Sequence, residues 1–171
     1  MAIIKVFLGL LFFITIFSCQ KESVSGKPDG SATTGGVYFN NVNKDVLLAL
    51  VNEVRKSGCI CGTTIMPPVG TVVWNDQLSK AAYDHSKDMF VENYFSHTAE
   101  NGSNPGARIT NAGYTWKSYG ENIAKGYVDE QAVMSGWLSS EGHCKNIMTA
   151  AFKEMGAGRE ASYWTQEFGA R

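Results

Sequence analysis

Tyr119-Gly120-Glu121-Asn122-Ile123-Ala124 reads as a strand rather than a helix. With two closing segments, Met155 to Arg159 and Tyr163 to Phe168, it decides the fold class. Those two are short strands with the look of a hairpin. Helical patterns lie upstream and in between. Asn43 is a plausible N-cap for a helix whose Val46, Leu47, Leu50, Val51 and Val54 share a face until Gly58. A second helix starts near Asn75 or Asp76 and keeps Leu78, Ala81, Ala82, His85 and Met89 on one side. Shorter helices are expected at Ala107 to Asn111, Asp129 to Ser139 and His143 to Met148. Helices and antiparallel strands segregated in this way indicate an α+β domain built in layers.

Working outward, the amino end has a different character. Val6 to Phe17 is almost wholly apolar, follows Lys5 and stops at Ser18-Cys19. The run has the length of a signal-peptide core and is short of the roughly 20 residues that span a bilayer. A small residue before a cysteine that closes such a run resembles the bacterial lipobox. Residues 1–18 are therefore expected to be a lipoprotein signal peptide, with Cys19 acylated. Residues 19–42, with much Gly, Ser and Thr and one Pro, read as a flexible tether, and 43–171 as the folded domain. Removing Lys5 leaves 14 of the 15 basic residues against 16 acidic ones, a net charge of -2. With no basic run to neutralise phosphates, nucleic acid is not an expected partner. The expectation is a monomer in the bacterial cell envelope, lipid-anchored to a membrane and facing the periplasm or the cell surface.

Phe95-Ser96-His97, Gly120-Glu121-Asn122-Ile123-Ala124, Trp137 and Gly142-His143 occur in an order and spacing that resemble the CAP superfamily. That superfamily joins cysteine-rich secretory proteins, antigen 5 and plant pathogenesis-related 1 proteins. Gly142 to Met148 and Tyr163 to Gly169 are most similar to its compact bacterial branch, and the likeness runs over 43–171. It implies an α-β-α sandwich with a small antiparallel sheet between helices.

The resemblance also implies a cleft above the sheet where two His and two Glu gather and, in some members, bind divalent metal. The matching positions are His97, Glu121 and His143, while the second Glu is replaced by Ser140. His97, Glu121 and His143 make a sensible zinc set, but one lacking a carboxylate. No cofactor is required on this reading, and zinc would be held weakly. The plainer reading, a hydrogen-bonded cluster that holds loops to the sheet, is preferred. His85, among apolar helix neighbours, reads as a satisfied core histidine.

Setting Cys19 aside leaves Cys59, Cys61 and Cys144, an odd number outside the cytoplasm. Cys59 and Cys61 are too close along the chain to bridge without strain, so Cys144 pairs with one of them. The resemblance favours Cys61. A zinc site from the three thiolates and His143 ranks below a disulfide. Three functions remain: a binding module whose cleft of His97, Glu121, Ser140 and His143 takes a small ligand, lipid, peptide or metal; a metal- or Ser/His-dependent hydrolase; and a structural envelope protein. Enzymology is the less favoured, because no nucleophile-elbow, paired-histidine zinc or triad motif is present.

Overall fold

A computed structural model describes residues 40–171. The expected signal peptide, the acylation site Cys19 and most of the tether lie outside the described residues. Among the described residues no helix is long and apolar enough to cross a membrane.

The chain runs α1 (Lys44–Ser57), β1 (Cys59–Cys61), β2 (Thr64–Met66), β3 (Val73–Trp74), α2 (Asp76–Val91), α3 (Pro105–Asn111), β4 (Ser118–Lys125), α4 (Glu130–Ser139), α5 (Glu141–Ile147), β5 (Glu154–Glu160) and β6 (Tyr163–Ala170). Four helices start where a short polar side chain caps them. Asn43, Asn75, Asn104 and Asp129 each accept a hydrogen bond from a backbone N–H of the first turn. Pro105 adds its pre-set φ at the head of α3. Helix α5 starts at Ser140, which makes no such side-chain bond. Asn40, the first described residue, already packs against β5 and α2. Arg159 N–H donates to Asn40 O at 2.8 Å, and the Asn40 amide donates to Ser79 Oγ.

The main sheet has the order β3-β5-β6-β4. Its three long strands are antiparallel, but β3 pairs with β5 in parallel, so the sheet is not wholly antiparallel as expected. The parallel pairing follows from the long return path through α2 to α5, which a hairpin could not provide. A second, separate hairpin joins β1 to β2.

Alternation along the strands sorts the two faces. Met155, Ala157, Trp164 and Phe168 join Leu47, Val51, Trp137 and Ile147 in the larger core, so one face packs on α1, α4 and α5. The other face lies under α2 and α3. There Gly156 and Gly158 bring the α2 backbone onto β5. A Cβ at Gly156 would sit 2.1 Å from Ser79 N, and one at Gly158 2.3 Å from Tyr83 Cα. Helices on both faces of a small sheet make the α-β-α sandwich.

Candidate functional site

Glu121 lies on β4 directly opposite Glu167 on β6, and this row continues to Gly156 on β5. Both carboxyls therefore point to the α2–α3 face. Glu121 is ringed by cations and donors. Arg108 of α3 donates to its Oε2 at 2.6 Å, and His97 Nδ1–H donates to its Oε1 at 2.7 Å. His85 Nε2 stands 4.0 Å from Oε2. Arg108 also donates to the carbonyls of His97 and Ser103, fixing the loop that carries His97. Burial pushes the Glu121 carboxyl up. Hydrogen bonds from His97 and Glu167 and the Arg108 charge outweigh it and hold the group below the usual range.

Glu167 is fully buried, and neither oxygen meets a donor among the described side chains and backbone. Burial and the facing Glu121 charge raise its pKa well above the ordinary value. Two carboxyls can face each other in a dry interior only with a proton between them. Glu167 is the partner that burial and the facing charge keep protonated, with its carboxyl turned toward Glu121.

Both Glu121 oxygens are thus engaged. The carboxylate holds the proton on His97 Nδ1 and leaves Nε2 as the free lone pair on a half-exposed ring. Glu121 orients His97; it does not fit a place as a metal ligand. Strand parity separates the remaining members. Asn122, next along β4, points to the opposite face, where its amide donates to His143 O and Gln166 Oε1. His143 and Ser140 stand on that α4–α5 side. So Glu121 and His143 lie on opposite sides of the free edge strand, and His97 bonds to the Glu121 side. Among the described residues, His97, Glu121 and His143 do not bring their ligand atoms within 4.8 Å of one another.

His143 is near enough to His97 to feel its charge. Its pKa is lowered, first by burial and then by His97. His143 and Ser140 line a cavity of about 270 Å³ with Phe95, Ile123, Tyr127 and Trp137. The Trp137 indole N–H is buried without a partner among the described residues. No hydrogen bond joins Ser140 to His97 or His143 among the described residues. On the other face His85 and Arg108 line a second cavity of about 340 Å³ with Asp84 and Asp88. His85 is fully buried, shares a hydrogen bond between Nε2 and Ser96 O, and has its pKa lowered by burial.

Arg108, Glu167 and the closeness of His85 are the members that sequence reasoning missed. Arg108 sits in a seven-residue helix with no charge pattern of its own. Glu167 carried one available signal: it is a lone acid in a strand otherwise made of apolar and uncharged residues.

Cys61 and Cys144 stand at disulfide distance with Cα atoms 5.5 Å apart, tying the β1–β2 hairpin to α5, and Cys59 is left free.

A model of the cysteine-rich secretory protein family, CAP, matches residues 48–168. The uncharacterized protein YkwD of Bacillus subtilis is 40% identical over 96 residues, 55% of this chain and 37% of that protein. The uncharacterized membrane protein YlbC of the same organism is 37% identical over 95 residues, 56% of this chain and 28% of that protein. The chain therefore spans about a third of the length of these curated relatives. An extracellular protein of Bacillus anthracis containing an SCP domain superposes with a TM-score of 0.67 at 31% identity, over 74% of this chain and 40% of that one. An outer surface protein of Borrelia burgdorferi shares the fold at a TM-score of 0.64 and 20% identity, over 74% and 91% of the two chains. With the family's match covering most of the chain and the sandwich on the page, the protein belongs to the cysteine-rich secretory protein, or CAP, family.

Proposed function

We propose that this domain is an extracytoplasmic binding module, held to the envelope by a lipid on Cys19, with its cleft at the free edge of β4. The observation that carries the reading is the cavity of about 270 Å³ beside that edge. Its walls are aromatic and aliphatic, from Phe95, Ile123, Tyr127 and Trp137. Its polar residues are few: Ser140, His143 and Lys125, whose ammonium lies over the Tyr163 ring. Such a composition suits a small ligand with an apolar body and a polar head.

The His97 ring, pinned by Glu121, is not part of the cavity lining and stands near enough to act on His143. The similarity to an extracellular SCP-domain protein supports a location outside the cytoplasm. Zinc enters this reading only through the imidazoles of His97 and His143. Two neutral nitrogens without a carboxylate would hold it weakly, and it supplies no step here.

The test is a nuclear magnetic resonance screen of the purified protein with medium-chain fatty acids, short acetylated peptides and zinc as separate probes. Binding should shift the Trp137 indole and the His143 ring. The Trp116 indole, bonded to Gly106 O and Thr110 Oγ1 in α3, should stay in place. His143→Ala should weaken the effect. Probes that shift none of the cleft resonances, or shift them equally in His143→Ala, would remove the basis for this site.

A further inference from the structure

Cys59 and Cys61 alternate with Ile60 along β1, so both sulfurs fall on one face of the hairpin while Ile60 is exposed on the other. Cys144 of α5 meets that face. The Cys59 Sγ lies 3.7 Å from Cys61 Sγ and 3.6 Å from Cys144 Sγ. These three form the one group of three or more His, Cys, Asp or Glu residues, among those described, whose ligand atoms lie within 4.8 Å of one another.

Two roles for Cys59 compete. A nucleophilic thiol needs a depressed pKa, and burial pushes the Cys59 thiol up instead. It also stands almost equally far from both sulfurs of the pair, beside their axis. Attack on a disulfide requires approach along that axis, so this placement does not suit exchange.

Coordination suits it better. Thiolates on a tetrahedral zinc at about 2.3 Å stand about 3.8 Å apart. The two distances from Cys59 already match that edge. The third edge, Cys61 to Cys144, would reach it once the pair is reduced.

We propose that, with Cys61 and Cys144 reduced, Cys59, Cys61 and Cys144 form a three-thiolate site for a thiophilic divalent ion of the zinc and cadmium type. An external dithiol supplies the two electrons and two protons that open the pair, and is itself oxidised to its disulfide. The ion then displaces one proton from each of the three thiols. A ligand from solvent completes the fourth position, since the His143 ring lies outside the group. The bound ion ties the β1–β2 hairpin to α5 at the place where the disulfide ties it in the oxidised protein. The site is separate from the cleft at β4, and its success or failure is independent of the binding function.

The experiment titrates cadmium into the purified protein after reduction by a phosphine under argon. Sulfur-to-cadmium charge-transfer absorption in the ultraviolet reports thiolates and is blind to ions held by imidazole. The expected result is a band that saturates at one ion per chain, is absent from the unreduced protein, and is abolished or greatly weakened in Cys59→Ser. Cys59→Ser keeps the Cys61–Cys144 pair and so folds when oxidised. Circular dichroism on the reduced samples supplies the second readout. Cadmium should raise the melting temperature of the reduced wild type, or restore its fold if reduction unfolds it, and should do neither for Cys59→Ser. No band at one equivalent, an equal band in Cys59→Ser, or a band without any effect on the fold would each overturn the proposal.

Discussion

Glu167 sits in the row Glu121–Glu167–Gly156 beneath α2, and its proton is the smallest part of the molecule with a measurable consequence. In the folded chain it stays protonated above the pH at which an exposed glutamate ionises, roughly 4.3. The native state then binds more protons than the unfolded chain, and stability falls as pH rises. The fall ends when Glu167 itself ionises in the fold. His85 and His143 act in the opposite sense. Both pKa values are lowered by burial, so their contribution is lost as pH drops below about 6.5. Glu167→Gln removes one of these arms and keeps the other. Gln has no proton to lose. Its stability relative to wild type should rise as the pH climbs above roughly 4.3, by up to about 1.4 kcal/mol per pH unit until Glu167 ionises in the fold, read by urea unfolding. A difference independent of pH would mean that Glu167 is already ionised. At this scale the resemblance located His97, Glu121 and His143. It could not show that Arg108 closes the carboxylate, because no periodic pattern marks a cation on a short helix. Nor could it show that neighbouring positions on β4 face opposite ways around its edge.

Two cross-ties hold the elements together, and only one of them was legible. Arg55, in the last turn of α1, is fully buried and spends its guanidinium on four carbonyls. Nε donates to Gly70 O, and the other two nitrogens donate to Ile147 O, Thr149 O and Phe152 O. One side chain thus caps the end of α5 and fastens two loops to α1, with the α5 dipole favouring the cation there. Arg55→Ala leaves these carbonyls without a donor and should cost more than about 3 kcal/mol in chemical unfolding. Arg55→Lys keeps the charge but not the planar fork, and should fall between the two. An arginine in the last turn of an amphipathic helix reads as a solvated residue, so sequence pattern hides this role. The second tie is Cys61–Cys144. Closing a loop across 83 positions stabilises by about 4.5 kcal/mol in the chain-entropy account. Cys144→Ala should therefore lower the melting temperature sharply under oxidising conditions, and Cys59→Ala hardly at all. Cys61→Ala should be milder than Cys144→Ala, because Cys59 can move in to bridge Cys144. The first helix was readable from its Asn43 cap and apolar face, and the second from its apolar spacing. The β1–β2 hairpin was not, since three-residue strands inside a turn-rich stretch carry too little alternation to register.

For the whole molecule, the layered architecture follows from strands and helices that the pattern of apolar residues exposes, while strand order and the parallel β3–β5 pairing depend on packing that no local pattern encodes. The proposed placement in the envelope is tested at the amino end. Cys19→Ser should leave the chain uncleaved or shift it out of the membrane fraction, and mass spectrometry of the wild-type membrane fraction should find a mature protein that starts at an acylated Cys19. A mature chain starting elsewhere would break that reading. Strand β6 then carries a consequence for how the protein is made. It is the last of the six strands among the described residues, yet it sits inside the main sheet and is the partner that both β5 and β4 need. Until Tyr163 to Ala170 have been synthesised, β4 has no neighbour and β5 has only the two residues of β3. A growing chain cannot close the sandwich early. It stays threadable, and if the chain is exported as proposed, that delay keeps the polypeptide in a form a secretion channel can accept.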